Sequence, residues 1–387
     1  MVTMTSADNA LKSVYLGVVS DQLNTAANPL LAAIRQSTAD VWGKEVRRLA
    51  RYGVNGGVGA GTEEGDLPAS AGNNYEQFVT TLKNLYGTIE ISDKAVRASE
   101  NNVGAFVNLL NAEMDGLVRS SSFNFGRMLF GDGSGVLTTV SAVSGTTVTA
   151  ASVKNLIEGM VVDFISADTA VTGATGRRIT AVDRDNKTFT VSGATLTGVA
   201  KDDKVCVQGS YNLELTGLGA IFKTTGTLYG LDRATHKWMI PYIKTSVGAI
   251  TETAIQTAID RLEETAGSRV NFIVCSWGVK RALQKLFGEN KRNIDVTELA
   301  GGYRTITYNG IPVVADRFCP DGTMYLLNTE DFCLHQLCDW KWLEGDDGRV
   351  LKQVAGKPVY TATLVKYADL ICTRPCGQAM LSGITEA

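Results

Sequence analysis

Between Ser99 and Phe130 the sequence carries a helical pattern too long for the core of a small domain. Apolar residues recur at Val103, Phe106, Leu110, Met114, Leu117, Phe125 and Met128. The steps are three or four, apart from one double step through Ser121, so these side chains share one face of a helix. Gly131 follows as the stop, within Gly131-Asp132-Gly133-Ser134-Gly135, because glycine accepts the left-handed conformation that ends helices. At ~1.5 Å of rise per residue, roughly thirty residues make about 45 Å of helix. Any fold that holds this segment must use it as a strut with other elements laid along it. Gly104 and Gly116 weaken it a little.

The chain before the strut changes character twice. Residues 8–50 are expected to be helical in pieces, interrupted at Asn28-Pro29. From Arg51 to Asn73 there are seven glycines (53, 56, 57, 59, 61, 65 and 72), one proline and the acids Glu63, Glu64 and Asp66. Such a stretch holds too little apolar surface to offset its own ordering entropy. Tyr75–Ile91 then alternates apolar and polar residues as a strand. A glycine-rich excursion with a β return is unusual inside a compact domain. It reads as an arm whose packing partner lies on another subunit. Ahead of it, Lys44, Arg47, Arg48 and Arg51 would share one face if their segment were helical. Three readings of that basic run stay open: a solvated face, ion pairing to Glu63, Glu64 and Asp66 of a neighbouring loop, or contact with nucleic acid.

After the strut, residues 136–209 hold 13 threonines and 13 valines, with Phe164 and Phe189 as the only aromatics. Val161–Ile165, Arg178–Val182 and Thr188–Val191 read as strands, the last two joined by a polar turn at 183–187. The segment is a small all-β module inserted into the chain. The remainder mixes helix and strand. Thr251 caps a helix with Ile255, Ile259 and Leu262 on one face, ending at Gly267. Val270–Cys275 is a buried strand, and Ser276 opens a helix running to Phe287. Thr305–Tyr308 and Ile311–Ala315 form a hairpin about Asn309-Gly310, with Pro312 placing the second strand at an edge or at a strand start. Further strands fit Met324–Leu327, Phe332–Leu337, Val359–Lys366 and Leu370–Thr373. The fold class is α+β.

Chemistry is sparse. The net charge of −3 lacks the basic excess of a dedicated nucleic-acid binder. Two histidines, His236 and His335, stand in unrelated contexts without a nucleophile motif. Cys333, His335 and Cys338 cluster, and Cys372 precedes Cys376, but no paired CxxC knuckle is present. Zinc sites ordinarily show one. Gly57-Val58-Gly59-Ala60-Gly61 is followed by Thr62-Glu63-Glu64 where a phosphate loop needs a lysine and a helix start. No catalytic, metal or cofactor residue is therefore assigned. The start MVTMTSADNALKSVYLG lacks the pattern of a secretory signal, and no run of about 18 apolar residues spans a membrane. The expected setting is cytosolic and reducing.

Four stretches resemble one family: LFGDGSG (129–135), LYGLDRATHKWMIP (228–241), FIVCSWGVKRALQKL (272–286) and YNGIPVVADRFCPDGTMYLLNTEDFCLH (308–335). Together with the order of parts, they make the chain similar to the major capsid proteins of tailed bacteriophages, which share the Hong Kong 97 fold. The resemblance implies an N-terminal arm (1–50), an extended loop over the adjacent subunit (51–92) and the spine helix of a peripheral domain (93–135). It further implies an inserted β domain (136–209), a mainly axial domain (210–330) and a return to the peripheral sheet (331–387). The implied function is self-assembly, through pentamers and hexamers, into the icosahedral shell that encloses phage DNA. Implied partners are further copies of the chain, a separate scaffolding protein, portal and head-completion proteins, and packaged double-stranded DNA contacted non-specifically; no membrane is involved. The implied location is the virion capsid, assembled in the bacterial host cytoplasm. Some relatives cross-link a loop lysine to a neighbour's asparagine. Lys83 and Lys94 are available here, but nothing in the sequence shows the required surroundings. An encapsulin-type cage subunit and an unrelated soluble enzyme with a β accessory domain are the alternatives.

Overall fold

The computed structural model describes residues 28–39, 41, 43, 45–94, 103–289, 296–299, 303–345, 348 and 350–387. The helical pieces expected over 8–27 and the start of the strut at Ser99 lie outside the described residues. Within them, the strut is a helix from Val103 to Phe130. Met114, Val118, Phe125, Met128, Leu129 and Phe130 are buried along it. They pack into a core shared with a five-stranded sheet.

The axis of that sheet is one strand, Val359–Cys372. It pairs antiparallel with Lys83–Ser92 on one side and with Phe332–Trp342 on the other. Arg35–Ser37 adds parallel to the latter, and Lys352–Gln353 joins the long strand. Local pattern alone divides this strand at Tyr367-Ala368-Asp369, between Val359–Lys366 and Leu370–Thr373. The chain runs straight through, because Asp369 is buried with its carboxylate satisfied rather than turned to water. Thr80 Oγ1 donates to it at 2.5 Å and Thr216 N at 2.8 Å.

The chain before the loop departs from expectation. Over the described part of 28–50, only Pro29–Ala33 is helical. There proline opens a helix at its first turn, where the missing N–H costs nothing. Arg35–Ser37 and Glu45–Tyr52 are strands. In the second, Val46 and Ala50 are buried while Arg47, Leu49 and Arg51 are exposed, the period of two that marks a half-buried strand. Asn74–Thr81 completes a hairpin with it, in register from Glu45↔Thr81 to Tyr52↔Asn74. The excursion therefore starts at Glu45 rather than Arg51. The expected single strand over 75–91 is two, with Lys83–Ser92 belonging to the long sheet.

Residues 136–209 fold into a seven-stranded sheet with its own core. Phe164 and Phe189 stack at its centre, ring centroids 6.3 Å apart. The ends of the module meet where Asn212 N donates to Ser134 O at 2.8 Å. Lys154 fastens it to the body, donating to Cys319 O at 2.7 Å and to Asp321 at 2.5 Å.

The third unit is a seven-stranded mixed sheet flanked by Glu252–Ala266 and Trp277–Glu289. Thr251 Oγ1 accepts from Ala254 N at 3.2 Å, and Gly267 ends the first helix at φ 57. Phe272–Cys275 lies between Met324–Leu327 and Ile311–Ala315. Asn309 and Gly310 both take positive φ, as a type I′ turn requires. Pro312 lies at a strand start, facing Thr307 alone, before pairing with the central strand begins at Val313. One element of 331–387 departs from the expected return to the long sheet. Ala379–Leu381 pairs with Met324–Leu326 and Tyr242–Lys244, closing this third sheet instead.

Candidate assembly surface

The hairpin is two strands wide, and among the described residues one of its faces is exposed. In an antiparallel pair, opposed residues point to the same side. Val46, Ala50 and Phe78 face inward and are buried. Tyr52 stacks on Trp238 with centroids 4.9 Å apart, and Phe78 packs against Trp238 and Tyr229. Val79 N donates to Tyr229 O at 2.9 Å. The root is thus pinned to residues 228–239 by aromatic packing.

The outward face carries Arg47, Leu49 and Arg51 opposite Val79, Gln77 and Tyr75. Leu49 and Tyr75 are 63% and 51% exposed. The expected single basic face is corrected here. On a strand, Arg47 and Arg51 share the outward side, whereas Arg48 projects to the other. Lys44 lies outside the described residues. Arg47 pairs with its own strand neighbour Glu45 at 3.1 Å, an exposed contact worth less than ~1 kcal/mol.

Beyond the root, the limbs 53–61 and 66–73 run side by side. A Cβ on Gly57 would meet Ala71 N at 3.1 Å, and one on Gly59 would meet Pro68 at 3.2 Å. Glycine is what lets the two backbones approach so closely. The tip turns at Gly65 N→Thr62 O, 3.2 Å, with Glu63, Glu64 and Asp66 exposed on it. Neither Arg47 nor Arg51 bonds these acids within the subunit. Val54, Val58 and Leu67 are more than four-fifths exposed. Apolar groups so placed contribute nothing to their own subunit's core.

The histidine and cysteine candidates sit elsewhere. Cys333 and His335 are buried on one strand, which continues through Cys338 to Trp342 rather than ending before it. Among the described residues, no group of three His, Cys, Asp or Glu is arranged to hold a metal ion. Burial pushes the Cys206 and Cys275 thiols up to about 12, so they sit as neutral core groups. Among the described residues, no helix is long and apolar enough to cross a membrane.

Several buried charges carry structural weight that sequence reading did not assign. Arg127, on the strut, forms a two-pronged ion pair with Glu214 at 2.8 and 2.5 Å. Arg233 donates to the carbonyls of Ala220, Ile221 and Thr225 at 2.7, 2.9 and 3.2 Å. Lys366 is fully buried, 2.8 Å from Asp339 and over the ring of Phe125. Burial lowers its pKa despite that partner. Only the alternating pattern of residues 359–366, which points Lys366 to the same side as the apolar Leu364, hinted at any of them.

Comparison with known proteins agrees with this architecture. The family model described as SU10 major capsid protein matches residues 96–346, more than half of the chain. The chain is similar in structure to the Cyanophage A-1(L) capsid asymmetric unit, at 16% identity, over 93% of this chain and 94% of that one, with a TM-score of 0.59. Weaker likenesses include the Mycobacterium phage Bobi structure (8% identity, all of both chains, TM-score 0.46). Another is the holo-SrpI encapsulin complex from Synechococcus elongatus PCC 7942 (10% identity, 95% of each chain, TM-score 0.46). A search of the curated proteins finds no match. With its α+β, Hong Kong 97-type fold, the chain belongs to the SU10 major capsid protein family.

Proposed function

We propose that this major capsid protein closes an icosahedral shell of pentamers and hexamers around phage DNA by laying its hairpin and loop, residues 45–81, across an adjacent copy. The observation that carries this reading is the concentration of exposed apolar side chains there: Leu49, Val54, Val58, Leu67 and Tyr75. Fully covering one such side chain is worth up to ~1.5–3 kcal/mol. Several together, repeated around a closed lattice, stabilise assembly without strong individual contacts.

In this reading 93–135 is the spine of a peripheral domain, 210–330 is mainly axial, and 331–378 returns to the peripheral sheet. The inserted module, 136–209, decorates the outside or assists folding. The role is structural, without catalysis. Assembly takes place in the bacterial host cytoplasm with a separate scaffolding protein, and portal and head-completion proteins join the shell. DNA contact is non-specific and weak, consistent with a net charge of −3. Negative-stain microscopy of the purified chain tests the reading. Closed particles under assembly conditions are expected; small soluble monomers alone would refute it. Genes for portal, terminase, scaffold and protease beside this one separate a phage shell from a cellular cage.

A further inference from the structure

A groove of about 1150 Å³ opens at the root of the hairpin, and it is basic. Arg51, Lys237, Arg261 and Arg374 line it, against a single carboxylate, Asp331. Arg374 already holds that carboxylate at 3.1 Å, and Gln378 donates to it at 2.9 Å. Arg51, Lys237 and Arg261 are exposed and bond no carboxylate among the described residues. Arg261 lies over the ring of Tyr242, 5.5 Å from its centroid. The Tyr52–Trp238 stack forms an apolar wall beside these charges.

The complementary surface is the chain's own loop tip. Glu63, Glu64 and Asp66 present three carboxylates to three cations that pair with none among the described residues, with Val58 and Leu67 flanking the acids as apolar shoulders. The tip is not seated in its own subunit's groove, whose lining from this segment ends at Val54 while Glu63, Glu64 and Asp66 stay exposed. Its limbs lie together from Gly56 beside Ala71 to Gly61 beside Asp66. From Gly53 to Thr62 they extend up to roughly 30 Å from the root, at ~3.3 Å per residue.

We propose that the basic groove at the hairpin root receives the Glu63–Asp66 tip of a second copy of the chain. The proposal rests on the shell reading above and specifies which surface of the neighbour the loop reaches. Because each copy has one tip and one groove, the contact is head-to-tail, and such contacts generate rings when the rotation closes. Opposed charges fix the register of that ring, and like charges at the same place oppose it.

Charge exchange tests the contact. E63R/E64R/D66R and R51E/K237E/R261E change exposed side chains only, and circular dichroism should show both folded. Each triple is expected to lower the yield of closed particles about tenfold, and the chain carrying both should recover to within about twofold of the parent. A combined chain no better than either triple, or triples that assemble like the parent, would overturn the docking while leaving the shell reading intact. A parent chain that never forms particles would overturn both. As a second readout, E64C/R261C in a C376S background should give a ladder of covalent multimers when its particles are mildly oxidised. Either single cysteine should give none. A link confined to monomers, or no ladder, contradicts docking between copies.

Discussion

Removing Arg127 should be among the most damaging single changes in the molecule, although the residue lies far from the loop. Its guanidinium grips the Glu214 carboxylate with two parallel hydrogen bonds, 2.8 and 2.5 Å long, and the two side chains are only 4% and 3% exposed. The pair bridges the inserted module, since Arg127 ends the strut before it and Glu214 follows its return. In R127M the Glu214 carboxylate would remain buried without its counter-charge, a loss of about 3–5 kcal/mol. In R127M/E214L neither charge remains, and loss relative to the parent should fall within about 1 kcal/mol, because apolar groups of similar volume replace a buried ion pair at little cost. The single changes are thus strongly non-additive. Urea unfolding of the unassembled subunit at neutral pH, followed by tryptophan fluorescence, reads this out, since Trp340 and Trp342 lie in the same core. With a slope near 3 kcal/mol/M, a loss of about 4 kcal/mol moves the midpoint by roughly 1.3 M. An R127M midpoint within about 0.3 M of the parent, or a double variant as weak as the singles, would refute the reasoning.

Two other perturbations follow from the packing. Burial pushes the Asp316 carboxyl up to about 6, against the Phe318 N donor at 2.9 Å and the charges of Arg317 and Lys154. Its folded pKa stands above its unfolded one, so its contribution is most favourable below about 4 and is lost as pH rises to about 6, by roughly 3 kcal/mol. D316N should flatten the fall in urea midpoint between pH 4 and 6, and an unchanged slope would contradict the assignment. Gly126 is where the segment before the loop meets the strut: a Cβ there would stand 1.9 Å from Asn28 Oδ1 and 2.5 Å from the Phe318 ring. G126A should therefore cost at least about 1–3 kcal/mol by overpacking, measured by the same unfolding transition, and a neutral result would place Asn28 elsewhere.

Much of this architecture was legible in the sequence where local pattern and tertiary packing agree. The strut, the Thr251 cap, the Asn309-Gly310 turn and the β module each follow from period, cap or turn chemistry. The glycine-rich loop declared itself by what it lacks, an apolar content sufficient to bury. Reading failed where a partner distant in sequence decides the outcome. EVRRLARY offers helix-forming residues, and only pairing with Asn74–Thr81 shows it to be a strand. Asp369 looked like a break because aspartate is rare in strands, yet Thr80 and Thr216 satisfy it from 289 and 153 residues away. The basic run shows how much depends on such choices. A period of two in place of 3.6 separates Arg48 from Arg47 and Arg51, and Arg51 also borders a groove that no local pattern encodes.

The most direct test of the central claim is excision of residues 53–72. Those residues lie outside every buried cluster, so the shortened chain should keep the circular dichroism spectrum and unfolding midpoint of the parent. Under conditions where the parent forms closed particles by negative stain and sedimentation, it should remain as small oligomers. Closed shells from the shortened chain would show that the loop does not hold copies together. An unfolded chain would show that the loop belongs to its own subunit's core, and either result would contradict the account.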